Sequence, residues 1–171
     1  MTAGATSALC GIIPAAGGAS RVQPLPCSKE IFPVGFGRWD DTVGAEGLRP
    51  RVAADYLLER MRTGGAKQIF FILSEGKWDI PAYFRAGQNH GVSLAYLMAE
   101  LPYGAPFSVR QALPFVRDAT VLFGFPDIVF EPVDAYLQLL AHQRSCLLYT
   151  SPSPRDLRQD LVCRLLLEKR G

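Results

Sequence analysis

A run of small residues, Pro14-Ala-Ala-Gly-Gly-Ala-Ser-Arg21, follows an apolar stretch and precedes Pro24, Lys29 and Pro33. Gly17 and Gly18 let backbone amides come close to a phosphate, and Ser20 adds a hydroxyl. Arg21 supplies a permanently charged fork suited to phosphate oxygens, and Lys29 a second, mobile cation. A small backbone, exposed donors and two cations together suit a nucleoside triphosphate. The loop Ala15–Arg21, including Ala15 and Ala16, taken alone suits a plain turn as well; with Arg21, Pro24 and Lys29 at fixed spacing it is read as a triphosphate cradle working through its amides. It has neither the GK[ST] ending of a P-loop nor the G-x-G-x-x-G spacing of a dinucleotide site. A second candidate is Asp127, just beyond the apolar run TVLF. An acid there either caps a turn or, with the glycine loop beside it, holds a metal ion. With the loop present, the metal reading is preferred.

These residues need a scaffold that brings them together. Leu9–Pro14 reads as a buried strand feeding the small-residue loop. Lys29–Val34 reads as a short extended stretch, and Gly35–Pro50, rich in glycine and charge, as an irregular insertion. Apolar residues at 52, 53, 56, 57 and 61 mark a helix that Gly64-Gly65 ends. QIFFIL, Gln68–Leu73, shows no alternation and reads as a strand buried on both faces. A short helix is expected over Ile80–Ala86, with Asp79 as its N-cap. Strands follow at Ser93–Leu97 and Thr120–Phe123, with a helix between them over Pro106–Val116, weakened by Pro114. A last helix runs from Pro132 to about Gln143, with Val133, Tyr136, Leu137, Leu140 and Ala141 on one face. Trp78, Phe70, Phe71, Tyr83, Phe84 and Phe123 are expected in the core, and His90 in solvent.

Strands alternating with helices predict an α/β fold, a Rossmann-like three-layer αβα arrangement with a mainly parallel sheet. Ligands of such sheets bind beyond the carboxyl ends of the strands, where both candidate sites fall.

Composition narrows the function. Of 171 residues, 49% are hydrophobic and 20% charged, enough for a packed core and too ordered a mixture for wholesale disorder. A formal net charge of +2 is too balanced for a nucleic-acid partner. No apolar run is long enough to span a membrane, and Met1–Ala8 has no signal-peptide character. Cys10, Cys27, Cys146 and Cys163 form no CxxC pair, so a zinc cage is not expected. Incidental thiols of a cytoplasmic protein are the simplest account.

The segment resembles the signature of sugar-phosphate nucleotidyltransferases, roughly A-G-x-G-[ST]-R-[LM]-x-P-L-x-x-x-x-P-K-x-[LM]-x-P-[VI]. Gly17, Ser20, Arg21, Pro24, Leu25, Lys29, Pro33 and Val34 match it. Ala19 stands in place of the second glycine, Val22 of the leucine and Ser28 of the proline before the lysine. Tyr96, Pro102 and Gly104 are spaced like the Y-x-x-Q-x-x-P-x-G pattern of thymidylyltransferase relatives, with Ala99 in the glutamine position. FGFPDIVF is similar to the family's strand-G-D segment, with Pro126 for the glycine. The flavour is that of glucose-1-phosphate thymidylyltransferase-like proteins, over about Leu9–Gln143.

The resemblance implies transfer of a nucleotidyl group from a nucleoside triphosphate to a sugar 1-phosphate, with release of pyrophosphate. In that role Arg21 and Lys29 are catalytic, gripping the phosphates. Ala15, Ala16, Gly17, Gly18, Ser20, Arg21 and Gly104 bind nucleotide. Asp127 binds Mg²⁺. The attacking phosphate is already ionised near neutrality, so no general base is needed, and none is evident. Two alternatives stay open: a nucleotide-binding or regulatory homologue without turnover, and a cytidylyltransferase acting on an alcohol phosphate. The sequence leaves room for a homo-oligomer in the full-length form.

The tail breaks the βα rhythm. Residues 145–171 contain the break Ser-Pro-Ser-Pro and account for the whole net charge. CLLYTSPSPRD resembles translated sequencing-adaptor sequence. The expectation is a nucleotide-binding part over residues 1–144, truncated before a second metal ligand and the sugar contacts. A non-native or unstructured tail then fills residues 145–171.

Overall fold

A computed structural model describes residues 8–37, 49–99 and 104–145. The expectations for the tail beyond Ser145, for most of the glycine-rich insertion and for Pro102 lie outside the described residues. So do those for Cys146 and Cys163.

Four parallel strands form the central sheet: β1 (Leu9–Pro14), β4 (Gln68–Leu73), β5 (Ser93–Met98) and β6 (Thr120–Phe123). Their order is β5-β4-β1-β6. The chain thus builds outward from β1 to β4 and β5, then crosses back to lay β6 on the other side of β1. In register, Ile12 stands opposite Phe70 on one side and Phe123 on the other. Two apolar layers sandwich the sheet. On one face Leu57, Leu58 and Met61 of α1 (Ala53–Thr63) and Ile80 and Phe84 of α2 (Asp79–Phe84) pack with Tyr136 of α5 (Ala135–Ser145). They cover Ile13, Ile69, Phe71, Leu73 and Leu122. On the other face Val109 of α3 (Ala105–Arg110) and Val116 of α4 (Leu113–Val116) join Ala112 against Cys10, Ile12, Phe70, Ile72 and Phe123. Alternate residues of β4 serve opposite layers, which explains its unbroken apolar run. The architecture is the expected three-layer αβα.

Some local expectations change. Lys29–Val34 divides into a tight turn, Lys29–Ile31, and a strand, β2 (Pro33–Gly37). β2 pairs antiparallel with β3 (Arg49–Val52), a hairpin that a glycine- and proline-rich pattern concealed. The helix over 106–116 is two helices, because Pro114 has no amide to continue a helix and instead sits at the start of α4. The buried stripe of α5 is Tyr136 with Leu139 and Leu140, whereas Val133 and Leu137 are exposed. Trp78 and Tyr83 face solvent and do not belong to the core. His90 is not solvated: it is largely buried against Phe84, with Nε2 2.9 Å from Asp55 Oδ1. Asp55 also accepts the Val52 amide at 2.8 Å, closing the first turn of α1. Among the described residues, no helix is long and apolar enough to cross a membrane.

Close approach of α1 depends on Gly11. A Cβ there would lie 2.8 Å from Met61 Sδ and 2.9 Å from Ile69 Cγ1.

Candidate functional site

Because β1 and β6 are parallel neighbours, the loops that follow them leave the same edge of the sheet. This is the point where the strand order reverses, and such points open a crevice for ligands. The glycine loop leaves β1 there, and the turn bearing Asp127 leaves β6.

Ala15 remains part of the sheet. Its amide donates to Ile72 O at 2.8 Å and its side chain is buried, as is that of Ala16. The expectation that Ala15 offers its amide to a phosphate is therefore corrected: that donor is spent on the sheet ladder. Gly17 and Gly18 are exposed, and a Cβ at either would meet nothing within 4 Å. Ala19 holds φ 52°, the left-handed region, and its carbonyl accepts the Val22 amide at 3.0 Å to form the turn Ser20–Val22. That conformation costs an L-residue roughly 1–2 kcal/mol, which explains why the signature prefers glycine there. Ser20 and Arg21 are exposed beside it.

Lys29 and Asp127, 98 positions apart, meet in an ion pair with Nζ 2.7 Å from Oδ2. Their side chains are 28% and 41% exposed, so the pair is accessible and weakly held. Residues around it are fixed more firmly. Asp79 Oδ2 accepts the Ser28 amide and Oδ1 the Ser28 hydroxyl, both at 2.7 Å. Burial raises the Asp79 carboxyl, but the hydrogen bonds from Ser28, together with those from the Ile80 and Asp79 amides, outweigh it and hold the group below its ordinary value. Glu30 is fully buried and accepts Lys77 Nζ at 2.8 Å, while its other oxygen has no hydrogen-bond partner among the described residues. Burial, with Asp79 and Glu30 nearby, pushes the Cys27 thiol up, which argues against a nucleophilic role for it.

The segment that bears Asp127 is held by buried contacts on both sides of it. Buried Arg60 donates from Nε to Phe130 O at 2.6 Å, and from its two terminal nitrogens to Tyr56 O and Glu131 Oε1 at 3.0 and 2.9 Å. Tyr136 Oη donates to Phe123 O at 2.8 Å. Both contacts tie the strand-to-turn segment that carries Asp127 onto α1 and α5.

Gly104 adopts φ 93° and begins α3, its carbonyl accepting the Ser108 amide at 3.2 Å. Tyr96 is a packing residue: it stacks on Phe71, donates to Arg85 O at 2.6 Å, and burial pushes its hydroxyl up to about 12. Asp79 is the first residue of α2 and not its N-cap, which is Trp78, and both its oxygens reach to Ser28. Sequence reasoning missed Ser28, Glu30, Lys77 and Arg60 as supporting residues. The signal was present in Ser28-Lys-Glu30 and Lys77-Trp-Asp79, two short polar triplets of complementary charge, but no local rule pairs residues about fifty apart.

Among the described residues, no cluster of three or more His, Cys, Asp or Glu side chains gathers. Among these residues Asp127 is therefore not part of a closed protein cage of metal ligands.

Similarity to solved structures lies in the fold. A Bacillus anthracis protein assigned as a glucose-1-phosphate thymidylyltransferase, solved with sucrose, aligns at TM-score 0.66 and 21% identity over 80% of this chain and 52% of its own. A UDP-glucose pyrophosphorylase complexed with UDP-glucose aligns at 0.59 and 14% identity, over 81% and 55%. A Mycobacterium tuberculosis protein aligns at 0.58 and 17%, over 82% and 63%. The chain thus spans little more than half the length of these structures. No family model matches the sequence, and no curated protein matches it.

Proposed function

We propose that this chain is the nucleotide-binding part of a sugar-phosphate nucleotidyltransferase. The observation that carries the proposal is the meeting of Lys29 with Asp127 at the reversal point of the sheet, beside the exposed Gly17-Gly18 loop and Arg21. Two of the similar folds belong to proteins named for this class of reaction, which supports the same reading.

In this function the free amides after Ala16, together with Arg21, hold the triphosphate. With triphosphate bound, Lys29 would leave Asp127 for a phosphate oxygen, and Asp127 would be the residue to hold magnesium. Exposed ion pairs are worth about 0–1 kcal/mol, so this exchange of partners costs little. Magnesium, when bound with the triphosphate, neutralises charge on its oxygens. A phosphate oxygen of the sugar 1-phosphate attacks the α-phosphorus and pyrophosphate leaves. With a second pKa of about 6 the nucleophile is already an anion, so the residues work by aligning reactants and stabilising charge. This chain by itself then binds triphosphate without turning over.

Calorimetry with thymidine and uridine triphosphates in the presence of magnesium tests the proposal. Binding is expected, and Arg21→Ala should weaken it by roughly 1.5–3 kcal/mol, the range for a hydrogen bond to a charged group. Absence of binding by the wild-type chain, or equal affinity in Arg21→Ala, overturns it.

A further inference from the structure

Lys29 lies between two anchored neighbours. Ser28 is tied to Asp79 and Glu30 to Lys77, so residues 28 and 30 engage the start of α2 while Lys29 reaches the opposite way, to Asp127. The anchors come in reversed order, 28 with 79 and 30 with 77, as for two short segments laid antiparallel. The backbone at Ser28 is extended, with φ −58° and ψ 138°, and a proline ring would hold the same φ. The signature that this segment resembles has proline at that position. Serine carries no such restraint, but it has two donors that proline lacks, and Asp79 takes both.

We propose that Asp79 is a positioning residue for Lys29. Through its two hydrogen bonds to Ser28 it supplies the backbone restraint that a proline would otherwise give, and so keeps the Lys29 ammonium aimed at the cleft beside Asp127. The frame is fixed, and the Lys29–Asp127 pair within it stays free to change partners. Asp79 touches neither Asp127 nor the glycine loop in any hydrogen bond, so it acts on the site through Ser28 and Lys29. Its functional consequence rests on the nucleotide-binding reading above; its effect on Lys29 does not.

The test is a double-mutant cycle on the full chain, read by calorimetry with magnesium thymidine triphosphate. Asp79→Ala should weaken binding by roughly 3- to 10-fold when Lys29 is present, a coupling of ordinary size. In a Lys29→Ala background it should cause no further loss. Combining Ser28→Pro with Asp79→Ala should restore most of the affinity. An equal loss with and without Lys29 would mean that Asp79 supports the fold in general, and overturns the proposal. A second readout needs no nucleotide: the acetylation rate of Lys29 by acetic anhydride, with the exposed Lys67 as internal reference. Asp79→Ala should raise the rate at Lys29 and leave Lys67 unchanged; an unchanged Lys29 rate overturns the proposal. If the wild-type chain binds no triphosphate, the proposed function fails and the acetylation rates alone decide this inference. Should Asp79→Ala not fold, Ser28→Ala removes one of the two bonds and carries the same comparisons.

Discussion

Gly17 and Gly18 have neither a left-handed φ nor a neighbour that excludes a side chain. Packing of the described residues therefore makes no demand for glycine at either position; the proposed approach of a triphosphate to the backbone would make one. Gly17→Ala and Gly18→Ala are expected to change folding stability by no more than about 0.5 kcal/mol, as for exposed substitutions away from special geometry. Both should weaken triphosphate binding. Thermal melts paired with calorimetry separate the two effects, and a large fall in melting temperature would show that these glycines serve the fold. Ala19 is the converse case. Its φ of 52° strains an alanine, so Ala19→Gly should stabilise the chain by about 1 kcal/mol after the added chain entropy is counted. It should also widen the cradle. Urea denaturation measures the first effect, and triphosphate affinity the second.

At the scale of elements, the site depends on how closely α1 and α2 are drawn to the sheet. Gly11→Ala would place a methyl against Met61 and Ile69 in the middle of the larger core layer. Overpacking of this kind costs about 1–3 kcal/mol, and the urea midpoint should fall accordingly. The tie between the turn at Lys29 and the start of α2 has a pH signature. Hydrogen bonds lower the Asp79 carboxyl in the folded state from its ordinary 3.8. A carboxyl with a depressed folded value binds its proton more readily when unfolded. It therefore contributes stability that is present above 3.8 and lost as pH falls through the folded value. The stability gap between wild type and Asp79→Asn should be steady near neutrality and should close as the solution is acidified below 3.8. A gap that persists in strong acid would mean that Asp79 acts through packing and not through its charge.

For the molecule as a whole, binding and turnover should separate. The described residues bring Lys29 onto Asp127 at one edge of a sheet, and the chain spans 52–63% of the similar structures' lengths. Alignment of both reactants supplies about 7–11 kcal/mol of such a barrier, and the proposed reading gives this chain the nucleotide half of the site only. Triphosphate binding without pyrophosphate release is the expected outcome across a panel of sugar 1-phosphates. Pyrophosphate appearing above background would place a sugar site within these 171 residues. The strands and their function as a parallel sheet could be read directly, because burial on both faces leaves unbroken apolar runs such as Gln68–Leu73 and Thr120–Phe123. Glycine, serine and arginine after such a strand also marked the loop, since small backbone and fixed charge are properties of residue types. Other features had no local signal. Ala15 looked like part of the loop but gives its amide to Ile72, which depends on where β4 lies. The β2–β3 hairpin is set by a pairing across a long insertion. Asp79 looked like a helix cap, and the buried stripe of α5 was offset from its apolar positions, because partners and packing faces come from elements distant in the chain. The pairing of Lys29 with Asp127 is the sharpest division: the sequence determined which groups could meet a phosphate and a metal. The crossover of β6 to the far side of β1 and the anchoring of the residues beside Lys29 decided that they stand 2.7 Å apart, because residue chemistry is local and tertiary placement is not.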